Sequence, residues 1–277
     1  MPELPEVETV ARVLAPQLRG CVIDGVGVRR PEVIAHPDAA GFCTGLSGRT
    51  IADLTRRGKY LLLLLTQGGR VAVHLRMTGC LLLTPADRAE LPHTHVVFRL
   101  RDGRELRFSD ARRFGRLWLL QGDGDDACAG MRKLGLEPFD RALTAEYLRT
   151  RLGKRRRTIK ACLLGQDTVA GIGNIYADEI LFSAGICPLR PADSLRAAEW
   201  ARLAAAIPER LAFFVQRNML TPEEYLNGNG LAYRSAPFLQ VYGGAGTPCP
   251  VCGAALRRSV DGGRSSVWCP NCQKERP

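Results

Sequence analysis

Arg151-Leu152-Gly153-Lys154-Arg155-Arg156-Arg157-Thr158-Ile159-Lys160, followed closely by Ala170-Gly171-Ile172-Gly173-Asn174, is the stretch on which the fold reading turns. The first segment sets six cations within ten residues. Alone, such a run reads as a solvated helix face. The second segment places two glycines and a residue suited to a helix N-cap between two amphipathic patterns. Glycine permits the tight turn, and the backbone N–H groups at a helix start can grip a phosphate. A basic helix, a glycine hairpin and a second helix together form a candidate phosphate clamp. Around it the spacing predicts helices from a Thr144 cap to about Gly153, over Thr158 to Gln166, Asn174 to Ala184 and Ser194 to Asn218. Glu146 comes one place too early for a capping box with Thr144. Pro208 is expected to kink or split the last helix, because proline removes a backbone donor.

Upstream the pattern changes to β-structure after a short N-terminal helix. Val22 to Arg30, Tyr60 to Leu65, Arg70 to Leu75, His95 to Leu100, Glu105 to Asp110 and Arg116 to Leu120 are short and apolar or alternating, with glycine breaks between them. Spaced short strands predict a sandwich or barrel. Gly122-Asp123-Gly124-Asp125-Asp126 reads as a linker. The tail from Gly243 is rich in Gly, Pro, Cys and Arg and too small for a core of its own. The expected organisation is α+β and multidomain: a β-rich domain at 1–125, a helical domain at 126–242 and a small stapled domain at 243–277.

The staple is legible. Cys249-Pro250-Val251-Cys252 and Cys269-Pro270-Asn271-Cys272 are two CxxC pairs separated by 16 residues, the spacing of tetrahedral four-cysteine zinc sites. Disulfides or redox motifs are the competing reading. Four thiolates close the coordination shell, so one Zn2+ here would be structural. The intervening loop carries Arg257, Arg258 and Arg264. The other six of the ten cysteines have no motif spacing.

Composition sets the partner class. The formal charge is +11 and hydrophobic residues make up 45 % of the 277. A folding, strongly basic chain favours a polyanion, either nucleic acid or an acidic membrane surface. No apolar run approaches the length of a membrane helix. The acidic, polar start gives no secretory signal, so a cytoplasmic location is expected.

Four blocks carry a resemblance. Met1-Pro2-Glu3-Leu4-Pro5-Glu6-Val7-Glu8-Thr9, Asp110-Ala111-Arg112-Arg113-Phe114-Gly115, Gly171-Ile172-Gly173-Asn174-Ile175-Tyr176-Ala177 and the four-cysteine finger lie in one order and span nearly the whole chain. They resemble the N-terminal signature, DNA-reading loop, helix–two-turns–helix motif and zinc finger of the formamidopyrimidine-DNA glycosylase family, in its oxidised-purine branch. The resemblance implies an N-terminal β-sandwich with a flanking helix, a helical domain and a zinc-finger β-hairpin, with DNA in a cleft between the halves. It implies a glycosylase with abasic-site lyase activity on duplex DNA holding oxidised purines or abasic sites, acting as a monomer without an organic cofactor.

Carried over residue by residue, the nucleophile is Pro2 once Met1 is removed. An α-amino group has a pKa near about 8 against about 10.4 for lysine, so far more of it is neutral at pH 7. A secondary amine attacking the sugar gives an iminium ion, an electron sink that needs no cofactor. Read alone, Pro2 would be a helix-entry residue. Glu3 matches the acid/base residue, although its residue type does not separate it from Glu6 and Glu8 as a helix-start carboxylate. Lys59 matches a lysine assigned to β-elimination and DNA contact, and Arg264 an arginine assigned to δ-elimination and phosphate contact. Base excision needs the damaged nucleotide out of the stack. The side chains matched to filling the gap are Met77, Arg112 and Phe114. By type alone, Met77 and Phe114 read as core. Phosphate contacts carry over to His93, Arg113, Arg156, Lys160 and Asn174, with His95 competing for the role of His93.

The chain departs from the pattern at Arg76, where the family often has glycine. It departs also over Leu231 to Phe238, which replaces an aromatic-rich loop that covers the flipped base in relatives, and at Gly244, where an arginine is usual. These positions bear on lesion and opposite-base preference. Two other functions fit the same scaffold: a non-catalytic binder of damaged DNA, and an endonuclease VIII-like glycosylase for oxidised pyrimidines.

Overall fold

The computed structural model describes residues 2–122 and 126–275. Met1 and most of the linker expected at Gly122 to Asp126 lie outside the described residues. The chain forms two compact units, Met1–Arg132 with Asn218–Tyr233, and Lys133–Arg217 with Arg234–Pro277. Among the described residues no helix is long and apolar enough to cross a membrane.

The first unit is a two-sheet sandwich with flanking helices. Its elements in order are α1 (Leu4–Leu18), β1 (Ile23–Val28), β2 (Ile34–His36), α2 (Ala39–Leu46), β3 (Ile51–Arg57), β4 (Tyr60–Leu65), β5 (Arg70–His74), β6 (Gly79–Pro85), β7 (Thr94–Leu100), β8 (Arg104–Asp110), β9 (Arg116–Leu120), α3 (Asp126–Ala129) and the late helix α8 (Pro222–Asn227). One sheet runs β1-β7-β8-β6 and the other β2-β9-β5-β4-β3. Among the described strand pairs of these two sheets, only β2–β9 is parallel. Leu61, Leu63, Val71, Val73, Leu81, Val96, Phe98 and Phe108 fill the space between them and join the apolar face of α1 in one core. Each such side chain removed from water contributes roughly 1.5–3 kcal/mol. Register places Tyr60 opposite His74, and His74 opposite Arg116.

The α+β expectation and the sandwich hold, with additions. β2, β3 and β6 were not legible as strands. β6 is Gly-Cys-Leu-Leu-Leu-Thr-Pro and is buried along nearly its whole length, so it lacks the alternation that marks a half-exposed strand.

The second unit has α4 (Ala145–Leu152), α5 (Ile159–Leu163), α6 (Asn174–Ser183), α7 (Ala197–Arg217) and a hairpin of β10 (Arg257–Asp261) and β11 (Arg264–Trp268). Thr144 caps α4 as expected, its hydroxyl accepting from Tyr147 N–H. α5 is shorter than predicted: it ends at Leu163, Gly165 N–H turns back to Cys162 O, and Gln166 beyond it takes a left-handed φ of 45°. Pro208 does not split α7, which is continuous over 21 residues. The buried face of Trp200, Leu203, Ala206, Ile207, Leu211 and Phe214 outweighs the roughly 3 kcal/mol that an interior proline costs.

Two buried carboxylates organise this unit. Glu199 pairs with Arg190 at 2.5 Å. Glu179, fully buried, accepts the N–H groups of Gln240, Val241 and Tyr242, each within 3.0 Å, and so fixes the chain entering the finger.

Candidate functional site

The first unit places the N-terminal residues firmly. Pro2 is buried, immediately before Glu3, the extended N-cap of α1. Glu3 and Glu6 form a capping box, with the Glu3 N–H donating to Glu6 Oε2 at 2.9 Å. Asn218 Nδ2 donates to Glu6 Oε1 at 3.2 Å. Glu8 points elsewhere: burial would raise its carboxyl, but the Arg56 and Arg12 guanidiniums outweigh that and hold it below the usual range. The three acids that sequence could not separate thus differ in place. Glu3 is adjacent to Pro2 and wholly buried, Glu6 locks the cap, and Glu8 is an ion-pair partner.

Lys59 sits in a two-residue turn between β3 and β4, half-buried, after Gly58 with φ of +55°. A positive φ at the first turn position is what two-residue hairpins demand of glycine.

Met77 and Phe114 are 42 % and 46 % exposed, which removes the core reading. The two touch one intermediary. Arg112 Nη1 lies 3.2 Å from Met77 Sδ, and its guanidinium stacks 4.7 Å above the Phe114 ring. An exposed thioether, an aromatic ring and a guanidinium in contact form a wedge that can enter a base stack and offer hydrogen bonds there.

Asp110 holds this loop, a role that sequence reading missed. It is 1 % exposed. One carboxylate oxygen takes the Thr78 hydroxyl and the Arg112 N–H, at 3.2 Å for the latter. The other takes the Gly115 N–H at 2.7 Å. A Cβ at Gly115 would fall 2.6 Å from the Phe108 ring, so only glycine fits. The Asp110 backbone is held as well, its N–H donating to His93 O at 3.0 Å and its carbonyl accepting from His95 Nε2 at 2.8 Å. His95 is buried and structural, whereas His93 is exposed. Arg113 is exposed and 3.7 Å from Glu32. Arg76, His93 and Arg113 have φ of 55°, 63° and 55°, a region costly for residues with a Cβ. The glycine that the resemblance leads one to expect in place of Arg76 would take such a φ without cost.

In the second unit a cavity of about 200 Å³ is lined by Arg157, Lys160, Leu164, Asp261, Gly262 and Arg264 among others. Its walls come from the basic segment and from the tip of the finger. Gly262 and Gly263, with φ of 54° and 74°, make the tight turn that presents Arg264 at the start of β11, where it is exposed. Lys160 is only 3 % exposed: Nζ pairs with Asp178 at 2.7 Å and donates to Ser265 O at 2.6 Å. Burial pushes the Asp178 carboxyl up, to about 6, against the pull of Lys160. Lys160 therefore ties α5 and α6 to the finger as well as lining the cavity. Arg156 is exposed.

Asn174 is the first helical residue of α6 rather than its cap, which is Gly173. Its Oδ1 is buried and has no hydrogen-bond partner among the described residues. The Gly171 to Gly173 turn is fixed by Gln166, whose amide accepts from Gly171 N–H at 2.9 Å and donates to Ile172 O at 2.6 Å.

The four cysteines of the finger converge, their sulfurs all within 4.8 Å of one another. The Cys249–Cys272 and Cys252–Cys269 sulfurs are 3.9 and 3.4 Å apart. A disulfide needs about 2.05 Å. Two thiolates about 2.3 Å from one tetrahedral zinc sit about 3.8 Å apart. The donor set fits a structural zinc and not two disulfides.

Comparison with known proteins agrees along the whole length. Residues 1–117 match the formamidopyrimidine-DNA glycosylase N-terminal domain, 134–221 its H2TH domain, and 246–274 a zinc finger found in FPG and IleRS. The chain is 45 % identical to a formamidopyrimidine-DNA glycosylase of Pelotomaculum thermopropionicum, over 99 % of both chains. It is 50 % identical to one of Moorella thermoacetica, over 93 % of this chain and 94 % of the other. Among solved structures it is similar to Lactococcus lactis Fpg bound to DNA with an abasic site (TM-score 0.90, 32 % identity, 99 % and 100 % covered). The same Lactococcus protein has also been solved with Fapy-dG and with oxidised-pyrimidine DNA. Thermus thermophilus MutM (FPG) matches with a TM-score of 0.87 and 39 % identity over all of both chains.

Proposed function

The chain belongs to the formamidopyrimidine-DNA glycosylase family, and on that premise we propose that it excises 8-oxoguanine and formamidopyrimidines from duplex DNA and then cuts the abasic strand. It is a base excision repair enzyme of the bacterial cytoplasm, working on the nucleoid as a monomer. The functional division is threefold: 1–125 for catalysis, 126–242 and the finger at 243–277 for holding DNA. The observation that carries the reading is the exposed Met77–Arg112–Phe114 cluster, which has no structural use on a free surface and the right chemistry for a vacated base stack.

While Met1 is attached, the Pro2 nitrogen is an amide and not a nucleophile. Once it is freed, its lone pair attacks C1′ of the extruded nucleotide. The N–C1′ bond forms as the bond to the base breaks, and the base leaves with the proton that the Pro2 nitrogen gives up. Glu3 donates a proton to the sugar ring oxygen, the ring opens, and an iminium ion remains. Loss of the C2′ proton expels the 3′ phosphate, with Lys59 beside the reaction. Elimination of the 5′ phosphate follows, and water releases Pro2 from the iminium. Arg264 stays protonated, so it serves by charge. His93, Arg113, Arg156, Lys160 and Asn174 hold phosphates, His93 being favoured over His95 by its exposure. Cys249, Cys252, Cys269 and Cys272 hold the zinc that shapes the finger.

Borohydride trapping on duplexes with 8-oxoguanine, Fapy-dG or an oxidised pyrimidine tests this. The mature protein gives a covalent adduct with the purine lesions, and Pro2→Gly does not. No adduct with the mature protein, or an equal adduct with Pro2→Gly, would sink the mechanism. A stronger reaction with the pyrimidine, which the Lactococcus relative also accommodates, would reassign the substrate.

A further inference from the structure

We propose that His74 is the positioning residue that sets the conformation of the Met77 loop and joins it to the turn carrying Lys59 and to the loop carrying Arg112 and Phe114. It stands at the end of β5, buried, where three pieces of the site meet.

Its Nδ1 accepts the Arg76 N–H at 3.0 Å. Arg76 is the residue directly before Met77, and its φ of 55° is one that side chains with a Cβ resist. Something must hold it there, and the hydrogen bond from its own N–H is the visible clamp. The His74 ring meets the Tyr60 ring edge-on at 4.6 Å and 87°. Tyr60 follows Lys59 directly, and its hydroxyl is anchored on Ala129 O at 2.7 Å. On the third side, the His74 carbonyl lies 3.2 Å from where a Cβ of Gly115 would be, so the end of the Arg112–Phe114 loop packs on its backbone.

The clamp works only with a neutral ring, because a protonated Nδ1 cannot accept. Burial first, then the charges of Arg76 and Lys59, push the imidazole down to about 3, so the acceptor is present at any working pH. The ring proton then sits on Nε2.

The inference rests on Met77 acting as a wedge, and the experiment separates the two. Two substrates are compared: an 8-oxoguanine duplex, which needs insertion, and a single-stranded abasic oligonucleotide trapped with borohydride, which does not. His74→Phe keeps the ring and loses the acceptor. Its kcat/KM on the duplex falls about tenfold, as expected for one buried hydrogen bond lost, while trapping on the single strand stays near wild type. His74→Asn, with an acceptor near the Nδ1 position, recovers most of the loss. His74→Phe combined with Arg76→Gly recovers it by another route, because glycine takes a positive φ without a clamp.

Equal losses on both substrates, or no rescue by either route, would overturn the positioning role. Should His74→Phe fail to fold, His74→Gln, whose amide overreaches the Nδ1 position, takes its place in the same comparison. Met77→Ala with full activity on the duplex would instead remove the wedge reading beneath it.

Discussion

Replacing Asp110 separates two ways of holding the wedge. The carboxylate accepts three hydrogen bonds, from Thr78 Oγ1, Arg112 N and Gly115 N. In Asp110→Asn the amide can turn its NH₂ toward Thr78. A hydroxyl can switch from donor to acceptor, and Thr78 already lies 3.2 Å from Arg112 N. The carbonyl oxygen then keeps Gly115. One bond is degraded, at a cost of about 1 kcal/mol, or roughly fivefold in the population of the ordered loop. In Asp110→Leu no such exchange exists. The buried Gly115 N–H loses its acceptor, and two further donors must find water. The cost is about 3 kcal/mol, roughly two decades. Single-turnover excision of 8-oxoguanine from a duplex reads the loss directly, with urea unfolding as the control for global stability. The asparagine variant should slow by less than about tenfold and the leucine variant by about a hundredfold. A leucine variant within threefold of wild type, or an asparagine variant as slow as leucine, would refute the reasoning.

Three further outcomes follow from the same geometry. Cys269→Ser should lower zinc content, stability and DNA affinity together, and an unchanged metal content measured by atomic absorption would refute the four-thiolate site. Breaking the buried Arg190–Glu199 pair with Glu199→Gln should destabilise the second unit by about 3 kcal/mol in urea melts. Burial would raise the Glu199 carboxyl, but Arg190 and Arg196 hold it near 2, so the wild-type contribution is lost as pH falls from about 4.5 toward 2 and the variant lacks that slope. His74, neutral and depressed to about 3 in the fold, adds stability that is complete above about pH 6.5 and is lost as pH falls, because the unfolded chain takes up a proton the folded one refuses. Equilibrium unfolding of His74→Asn should show a flatter profile between those values.

Sequence carried the parts whose chemistry is local. Paired CxxC spacing points to zinc over disulfides, and the glycine hairpin with its basic approach reads as a phosphate clamp before any coordinate. What stayed hidden depends on residues far apart in the chain. Asp110 works through Thr78, 32 residues away, and nothing beside it says so. Met77 and Phe114 are apolar by type, resemblance alone places them outside the core, and the fold shows their loops carrying them out of it. The left-handed backbone at Arg76, His93 and Arg113 has no signature in residue type, because side chains with a Cβ seldom take that region. At Pro208 the split that the local signal allowed does not occur, the helix being held continuous by the buried face around it. Glu3 was chosen among three acids by resemblance alone, and the capping box and the Arg56 pair supply the physical difference.

The hairpin that carries Arg264 has a consequence for how the enzyme fails. Asp261, Gly262 and Arg264 form one wall of the cavity, while Arg157 and Lys160 form the other. Zinc staples the finger that carries the first wall, and Thr158, Lys160 and Asp178 tie that finger to the second through Asp261, Ser265 and Val267. Without the metal the hairpin would lose its staple, and Arg264 would be positioned only by the remaining ties of Asp261, Ser265 and Val267. On the proposed roles, an oxidant that consumes the thiolates would weaken DNA capture while leaving Pro2 and Glu3 untouched. Protein damaged in this way would keep its reaction centre and lose its grip, in the same chemical conditions that create its substrate.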